Sequence, residues 1–397
     1  MSGPPLILVL NAGSSSIKCG VFPLAEGGRL LGIHGDIQAA GCDLATSRSA
    51  TASTRERLPP PPAGETAWQA ALRTVLERVE AEAGGPVVAV GHRIVHGGQE
   101  FLDPLIVGDD ALARIAALEP LAPLHQPHGV AGIRAARTLL PEARQVACFD
   151  TAFHSTCPPE AIRFALPRRW HDAGVRRYGF HGLSYESIAA QLPGVSGGLP
   201  ERVLVAHLGA GASLCGMRAG RSVATTMGFT PLDGLVMATR CGSIDPGAVL
   251  HLVLREGLSA AAVEELLTRE SGLLGVSGTS GDMRALLASN DPRAAEAVDL
   301  FCYRAVREAG SLVSALGGLD ALVFTAGIGE HAPEIRRRIV AGLAWLGLEI
   351  DPIANAGHGP RISSPTSRVT AWVIPTDEEA VIAAHVRRVA GDRHAGI

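Results

Sequence analysis

The strongest constraint on this chain is a pattern used twice: an apolar strand runs into a turn of small residues, and a second apolar strand returns from it. Residues 6–10 lead into Asn11-Ala-Gly-Ser-Ser-Ser, after which Ile17-Lys-Cys-Gly-Val-Phe resumes the apolar run. Arg202-Val-Leu-Val-Ala-His-Leu-Gly-Ala-Gly-Ala-Ser-Leu-Cys-Gly-Met does the same around a glycine turn. Short apolar runs separated by Gly and Ser read as β-hairpins, and two of them imply an internally duplicated architecture. At 397 residues the chain is past the size at which one hydrophobic core keeps growing. Two domains are expected, with the junction placed near residue 152 by the duplication and the ligand between them.

Between the hairpins the pattern alternates: a helix near 65–83 closed by Gly84-Gly85, a strand at 87–90, a helix near 129–140 and a strand at 145–149. Beyond them come helices near 248–256, 260–270 and 294–316, a strand at 321–325, a helix near 334–346, a strand at 369–374 and a last helix from Glu378. Such alternation means an α/β protein. The proline run after Leu58 can neither continue a helix nor donate to a sheet, so it reads as a surface excursion.

The formal net charge of -4 argues against a nucleic-acid surface, which needs clustered excess Lys and Arg. The cysteines at 19, 42, 148, 157, 215, 241 and 302 form no C-x-x-C pair and read as buried thiols of a reducing cytoplasm. No run of about 18 apolar residues would insert into a membrane, and no basic region precedes the first apolar run as in a signal peptide. Of 35 Lys plus Arg, Lys18 is the only lysine, which leaves 34 arginines and marks this one position.

Lys18 follows the small-residue turn of the first hairpin, where backbone amides, hydroxyls and a compact ammonium suit a phosphate. The segments around Gly209-Ala-Gly211 and Gly327-Ile-Gly329 each set a glycine pair just beyond a strand, where open α/β sheets bind ligands. Neither matches the G-x-x-x-x-G-K-[ST] or G-x-G-x-x-G pattern. Gly91-His-Arg-Ile-Val-His-Gly-Gly offers Arg93 after a strand, and Thr239-Arg-Cys-Gly-Ser-Ile-Asp-Pro offers Arg240 in a glycine-containing loop. Both are suited to clamping oxyanions. Cys148-Phe-Asp-Thr-Ala-Phe-His ends a strand in Asp150, and Arg176-Arg-Tyr-Gly-Phe-His-Gly presents Phe180 and His181, while His154 and His171 read as structural.

Taken together and in order, NAGSSSIK, GHRIVHGG, APLHQPH, FDTAFH, RRYGFHG, HLGAGAS, TRCGSIDP, FTAGIGEH and PTDEE resemble the acetate kinase family from residue 8 to about 384. The resemblance implies a duplicated ribonuclease H-like (actin-like ATPase) two-domain fold with a central cleft. One subdomain would comprise 1–152 plus 377–397, and the other, 153–376, would serve nucleotide binding and dimerisation. It implies reversible, direct in-line transfer of the ATP γ-phosphoryl group to acetate, giving acetyl phosphate and ADP. Mg2+ is the implied ion, with Mn2+ as a substitute, and a cytoplasmic homodimer the implied state.

Carried onto this chain, the resemblance makes Asn11 and Glu378 the metal ligands and sets Lys18 beside the nucleotide phosphates. Arg93 would hold the acceptor carboxylate, Asp150 would be the catalytic acid/base residue that orients it, and His181 and Arg240 would stabilise the transition state. Val95, Leu124, Phe180 and Pro231 would enclose the acceptor methyl, with His125 in the same site. His207, Leu208, Gly209, Ala210 and Gly211 would cradle the nucleotide with Asp282, Met283 and Arg284 and with Gly327, Ile328, Gly329, Glu330 and His331. Ala210 departs from the Asn usual in the family, Ser243 from an acidic residue and His331 from an Asn. The competing expectations are a propionate or butyrate kinase of the same fold and a catalytically impaired nucleotide-binding homologue.

Overall fold

The first hairpin forms where the small-residue turn puts it. β1 (Leu6–Ala12) pairs antiparallel with β2 (Ser16–Pro23) in a register that sets Asn11 opposite Lys18. The run from Leu6 to Val9 is fully buried, as expected for a strand covered on both faces. The computed structural model describes residues 3–13, 16–38, 41–49, 52–58, 61, 67–123 and 125–391. Ser14 and Ser15 of the turn and most of the proline run lie outside them, as does the expected helix start at 65 and 66; the helix itself is described over Ala67–Ala83.

Unit 1 comprises Met1–Ala152 with Asp377–Ile397. From β2 its sheet continues antiparallel through β3 (Leu31–Gln38), β4 (Gly41–Ser49) and β5 (Ala52–Leu58). On the other side of β1 come β6 (Val87–Ile94), parallel to it, then β8 (Arg144–Phe149), parallel to β6, with the two-residue β7 (Leu105–Ile106) at the edge. One face is covered by Ala71, Leu72, Val75 and Val79 of the helix Ala67–Ala83, packed with Leu6, Leu8 and Leu10 in one apolar cluster. The helix Glu378–Gly391 also packs on the sheet, and there Gly91 is needed. A β-carbon at that position would lie 2.4 Å from Ile382 Cγ2 and 2.8 Å from Val386 Cγ2.

Unit 2 comprises Phe153–Thr376. β9 (Arg202–Leu208) and β10 (Ala212–Arg218) form the second hairpin, and β11 (Arg221–Thr225) continues it. β12 (Ala321–Thr325) runs parallel to β9, and β13 (Thr370–Val373) parallel to β12. The strand order β11-β10-β9-β12-β13 repeats β3-β2-β1-β6-β8 of unit 1, antiparallel and parallel neighbours included. Each unit therefore carries one copy of the same motif, a hairpin meander followed by two parallel crossovers.

The structure departs from the sequence expectation in several places. The strand expected at 87–90 runs on to Ile94, so Arg93 is a strand residue paired with Cys148. His92 permits the extension because its Nε2 meets Gln145 Oε1 of β8 at 2.8 Å, satisfying a polar ring inside the sheet. The helix expected from 129 begins at Gln126, where Pro127 in the first turn costs no hydrogen bond. The glycine pair expected just beyond a strand lies in a short helix, Ala326–His331. The helix expected over 334–346 stops at Gly342, and a 3₁₀ turn covers Ala344–Leu346.

Candidate active site

In unit 1 the extended β6 carries Arg93 to the end of the sheet, beside Asp150 just past β8. Arg93 Nη2 and Nε meet the two oxygens of Asp150 at 2.6 and 3.1 Å, a bidentate pair. Its Nη1 donates to Asn11 Oδ1 at 3.3 Å, and Glu378 Oε2 lies 3.5 Å from Nε. One guanidinium thus faces two carboxylates and an amide oxygen. The Asp150 side chain is 2% exposed. Burial pushes its pKa up to about 6, with Arg93 opposing and Glu378 adding to the rise. Despite burial, which pulls the other way, Asp150 and Glu378 hold Arg93 above the ordinary arginine range.

Around this cluster lies a cavity of about 280 Å³, lined by Asn11, Ala12, Gly13, Ser16, Lys18, Arg93, Val95, His125, His128 and Gly129. Five residues singled out from the sequence, Asn11, Lys18, Arg93, Val95 and His125, therefore share one wall. Leu124 lies outside the described residues, and Phe180 and Pro231 belong to unit 2.

In unit 2 the second hairpin does the equivalent work. Its turn is closed by Gly209 N–H donating to the Gly211 carbonyl at 3.0 Å, while the Ala210 carbonyl accepts from Ala238 N–H at 3.0 Å. A β-carbon on Gly211 would lie 3.3 Å from His181 Nε2 and 3.8 Å from Arg240 Nη1, so both side chains converge on this turn. His181 stands in the left-handed region at φ 59 as the N-cap of the helix Gly182–Ser196. Such a conformation costs a β-branched or bulky residue on the order of 1 kcal/mol and is held by its surroundings. Gly179, at φ 76, has no room for a side chain, since a β-carbon there would approach His154 Cδ2 to 2.5 Å. The His181 ring stacks on His207 at 4.1 Å, and His207 Nδ1 is 2.8 Å from Ser184 Oγ.

Two neighbouring segments come close to this turn or to the loop bonded to it. A β-carbon on Gly209 would lie 3.6 Å from that of Ala326, and one on Gly281 would lie 2.7 Å from the Ala238 carbonyl. Asp282 caps the helix Met283–Leu287 and pairs with the exposed Arg284 at 2.6 Å. Glu330 bends back on its own segment, accepting from Ala326 N–H at 2.8 Å. His331 is largely exposed, 6.1 Å from the His358 ring. Ser243 donates to Asp233 at 2.7 Å, and Asp233 pairs with Arg177 at 3.1 Å. A carboxylate is thus present next to Ser243, on another residue.

Arg336 is a residue that the sequence reading passed over. It is fully buried, yet its five N–H groups meet Asn355 Oδ1, the Asn355 carbonyl, the Gly329 and Glu330 carbonyls and His358 Nδ1, all between 2.7 and 3.1 Å. Burial among neutral acceptors pulls its pKa down to about 10. It ties down the segment 327–331 from below. The signal in the sequence was slight: Arg336 is one of three consecutive arginines, Arg336 to Arg338, and the other two pair with Glu334.

The buried histidines make an acid-stability prediction. Burial pulls His92 and His154 down to a pKa of about 4 from an ordinary 6.5. Their folded pKa is depressed, so the stability they contribute is present above pH 6.5 and lost as pH falls towards 4. Each should cost about 2 kcal/mol at pH 5 relative to pH 7. His154→Gln is expected to lose less Tm than the parent between pH 7 and pH 5; an equal loss would contradict this assignment.

Residues 6–384 match the model of the Acetokinase family. An acetate kinase of Rhodopseudomonas palustris (strain TIE-1) is 52% identical over 402 residues, covering 97% of this chain and 98% of the relative. Among solved structures, a propionate kinase from Francisella tularensis superposes with a TM-score of 0.89 at 37% identity, covering 97% of this chain and 99% of that one. An acetate kinase of Porphyromonas gingivalis superposes with a TM-score of 0.86 at 35% identity, covering 97% and 100%.

Proposed function

The chain belongs to the acetokinase family, and we propose that it is an acetate kinase, transferring the γ-phosphoryl group of ATP to the acetate carboxylate and back. The observation that carries this reading is the cavity of unit 1. Its cationic wall, Arg93 and Lys18, suits an anionic acceptor, and Val95 beside them offers an apolar surface for a methyl group.

Two anions must be brought together, so fixed positive charge and oriented donors are what the reaction requires. In the proposal Arg93 binds the acceptor carboxylate, and Lys18 faces the phosphates. His181 and Arg240 donate to the equatorial oxygens of the transferring group, while the Gly209–Gly211 turn and the segment 327–331 hold the nucleotide. A carboxylate acceptor is already ionised near neutral pH, so no general base is needed. Asp150 then serves to orient Arg93, which its bidentate contact supports.

The donor chemistry of unit 1 fits a hard divalent cation. Asn11 offers an amide oxygen and Glu378 a carboxylate, both beside Arg93. Among the described residues no group of three or more His, Cys, Asp or Glu side chains could cage a metal. An ion held by Asn11 and Glu378 would complete its shell with water and phosphate oxygens, as Mg2+ does. Bound there, it would neutralise phosphate charge.

The solved propionate kinase motivates a second reading, in which a longer acid is preferred. Val95 leaves modest room, and one extra methylene changes transition-state binding by only about 1–3 kcal/mol. Trapping acyl phosphate as the hydroxamate with acetate, propionate and butyrate decides it: acetate should give the highest kcat/KM. A higher value for propionate would favour the second reading.

A cytoplasmic homodimer belongs to the same proposal, and one apolar helix supports the dimer. None of the residues of Pro246–Leu254 is buried, and Leu250 and Leu254 are 56% and 68% exposed. Such a surface suits an interface. Leu254→Glu is therefore expected to shift the mass measured by light scattering from about twice 41.1 kDa towards one chain; an unchanged mass would remove this helix from the interface.

A further inference from the structure

We propose that Tyr185 and Ser213 act as a proton-ordering pair that keeps neutral His181 in the tautomer protonated at Nε2. This inference rests on the reading above, in which His181 donates to the transferring phosphoryl group. His181 Nδ1 lies 2.8 Å from Ser213 Oγ, and the Tyr185 hydroxyl hydrogen-bonds the same oxygen. Both Tyr185 and Ser213 are fully buried. The arrangement is built by local structure: Tyr185 lies one helical turn after His181, with its N–H on the His181 carbonyl at 3.1 Å, and Ser213 is the second residue of the returning strand of the second hairpin.

The direction of the two hydrogen bonds follows from counting protons. If the phenol donates to Ser213 Oγ, the serine proton is left to donate to His181 Nδ1, and both hydroxyl protons have an acceptor. If instead His181 carries its proton on Nδ1, Ser213 turns to donate to the phenol. The phenol proton is then stranded in an apolar interior. A buried donor without a partner is disfavoured enough to set a tautomer ratio on the order of ten to one or more. Burial also raises the phenol's pKa well above its ordinary value, so it keeps the proton it must donate.

The consequence lies on the other edge of the ring. With Nδ1 accepting, the neutral imidazole carries its N–H on Nε2, the edge that faces the Gly211 turn together with Arg240. His181 would then serve as a neutral, aimed donor whose proton is in place before substrate arrives. Tyr185 and Ser213 are positioning residues in this account and touch no reacting atom.

The test uses the full-length protein labelled with 15N-histidine, with His181 identified by the signals lost in His181→Gln. Long-range proton–nitrogen spectra near pH 8 should show His181 Nε2 protonated and Nδ1 unprotonated. In Ser213→Ala no hydroxyl is left to donate to Nδ1, so a second tautomer should appear and kcat should fall by roughly threefold to tenfold with both KM values unchanged. A proton on Nδ1 in the parent protein would overturn the proposal, and so would an unchanged tautomer ratio in Ser213→Ala. Parental kcat in His181→Gln would instead remove His181 from the reaction, leaving the tautomer assignment to stand or fall on the spectra.

Discussion

Arg240→Ala should lower kcat by roughly 10³-fold or more while changing the KM for ATP little, because in the proposed function the guanidinium acts on charge that develops in the transition state. Burial lowers the pKa of Arg240, so the fold maintains this cation against a desolvation cost. Its Nη1 is anchored 3.2 Å from the Pro231 carbonyl and faces the Gly211 turn. A donor held in advance needs no reorganisation when the phosphoryl group flattens. Arg240→Lys should recover only a small part of the loss, since an ammonium replaces a planar fork by a point charge. Steady-state kinetics of both variants check this, and a loss under about tenfold in Arg240→Ala would remove the residue from the transition state.

Arg93→Ala should be as damaging, with a different signature. The substitution removes the expected acceptor ligand and leaves Asp150, 2% exposed, beside Glu378 with no guanidinium between them. Stripping the partner from a buried charge costs about 3–5 kcal/mol. Asp150 should therefore take up a proton and cease to orient anything. The expected result is a fall of roughly 10³-fold in kcat/KM for acetate, most of it in the acetate KM, with the KM for ATP nearly unchanged. Titrating acetate at saturating ATP checks it; an unaltered acetate KM would assign the carboxylate to another residue.

The two hairpins and the duplicated motif were legible because Gly and Ser turns punctuate strongly apolar strands. β3 to β5 were not read as strands. In β3 the alternation is carried by Leu31 and Ile33 but broken by Gly32 and Gly35, and β5 is mostly polar and exposed. Such strands are held by their neighbours in the sheet rather than by a pattern of their own. The strand through Arg93 was cut short for a related reason. His92 looks like a breaker until its partner Gln145, 53 positions later, is known.

The site was legible as parts and not as contacts. Short motifs named Arg93, Asp150, His181, His207 and Arg240, but the bidentate pair joins positions 57 apart. The stacking of His181 on His207 depends on a left-handed His181 that no local pattern predicts. Tyr185 and Ser213 were within reach of the sequence. One lies four positions after His181, and the other lies in the same motif as the glycine turn, so helical spacing would have paired the first with the histidine. Arg336 was not, because its partners are backbone carbonyls and a side chain 19 positions away.

The most direct test of the central claim is phosphorus NMR of the purified protein with ATP, Mg2+ and acetate labelled with 18O in its carboxylate. The account predicts an acetyl phosphate signal shifted by one 18O in the bridge, formed together with ADP, since the acceptor oxygen attacks phosphorus and keeps its place. ADP accompanied only by inorganic phosphate, or acetyl phosphate whose bridging oxygen is unlabelled, would contradict it.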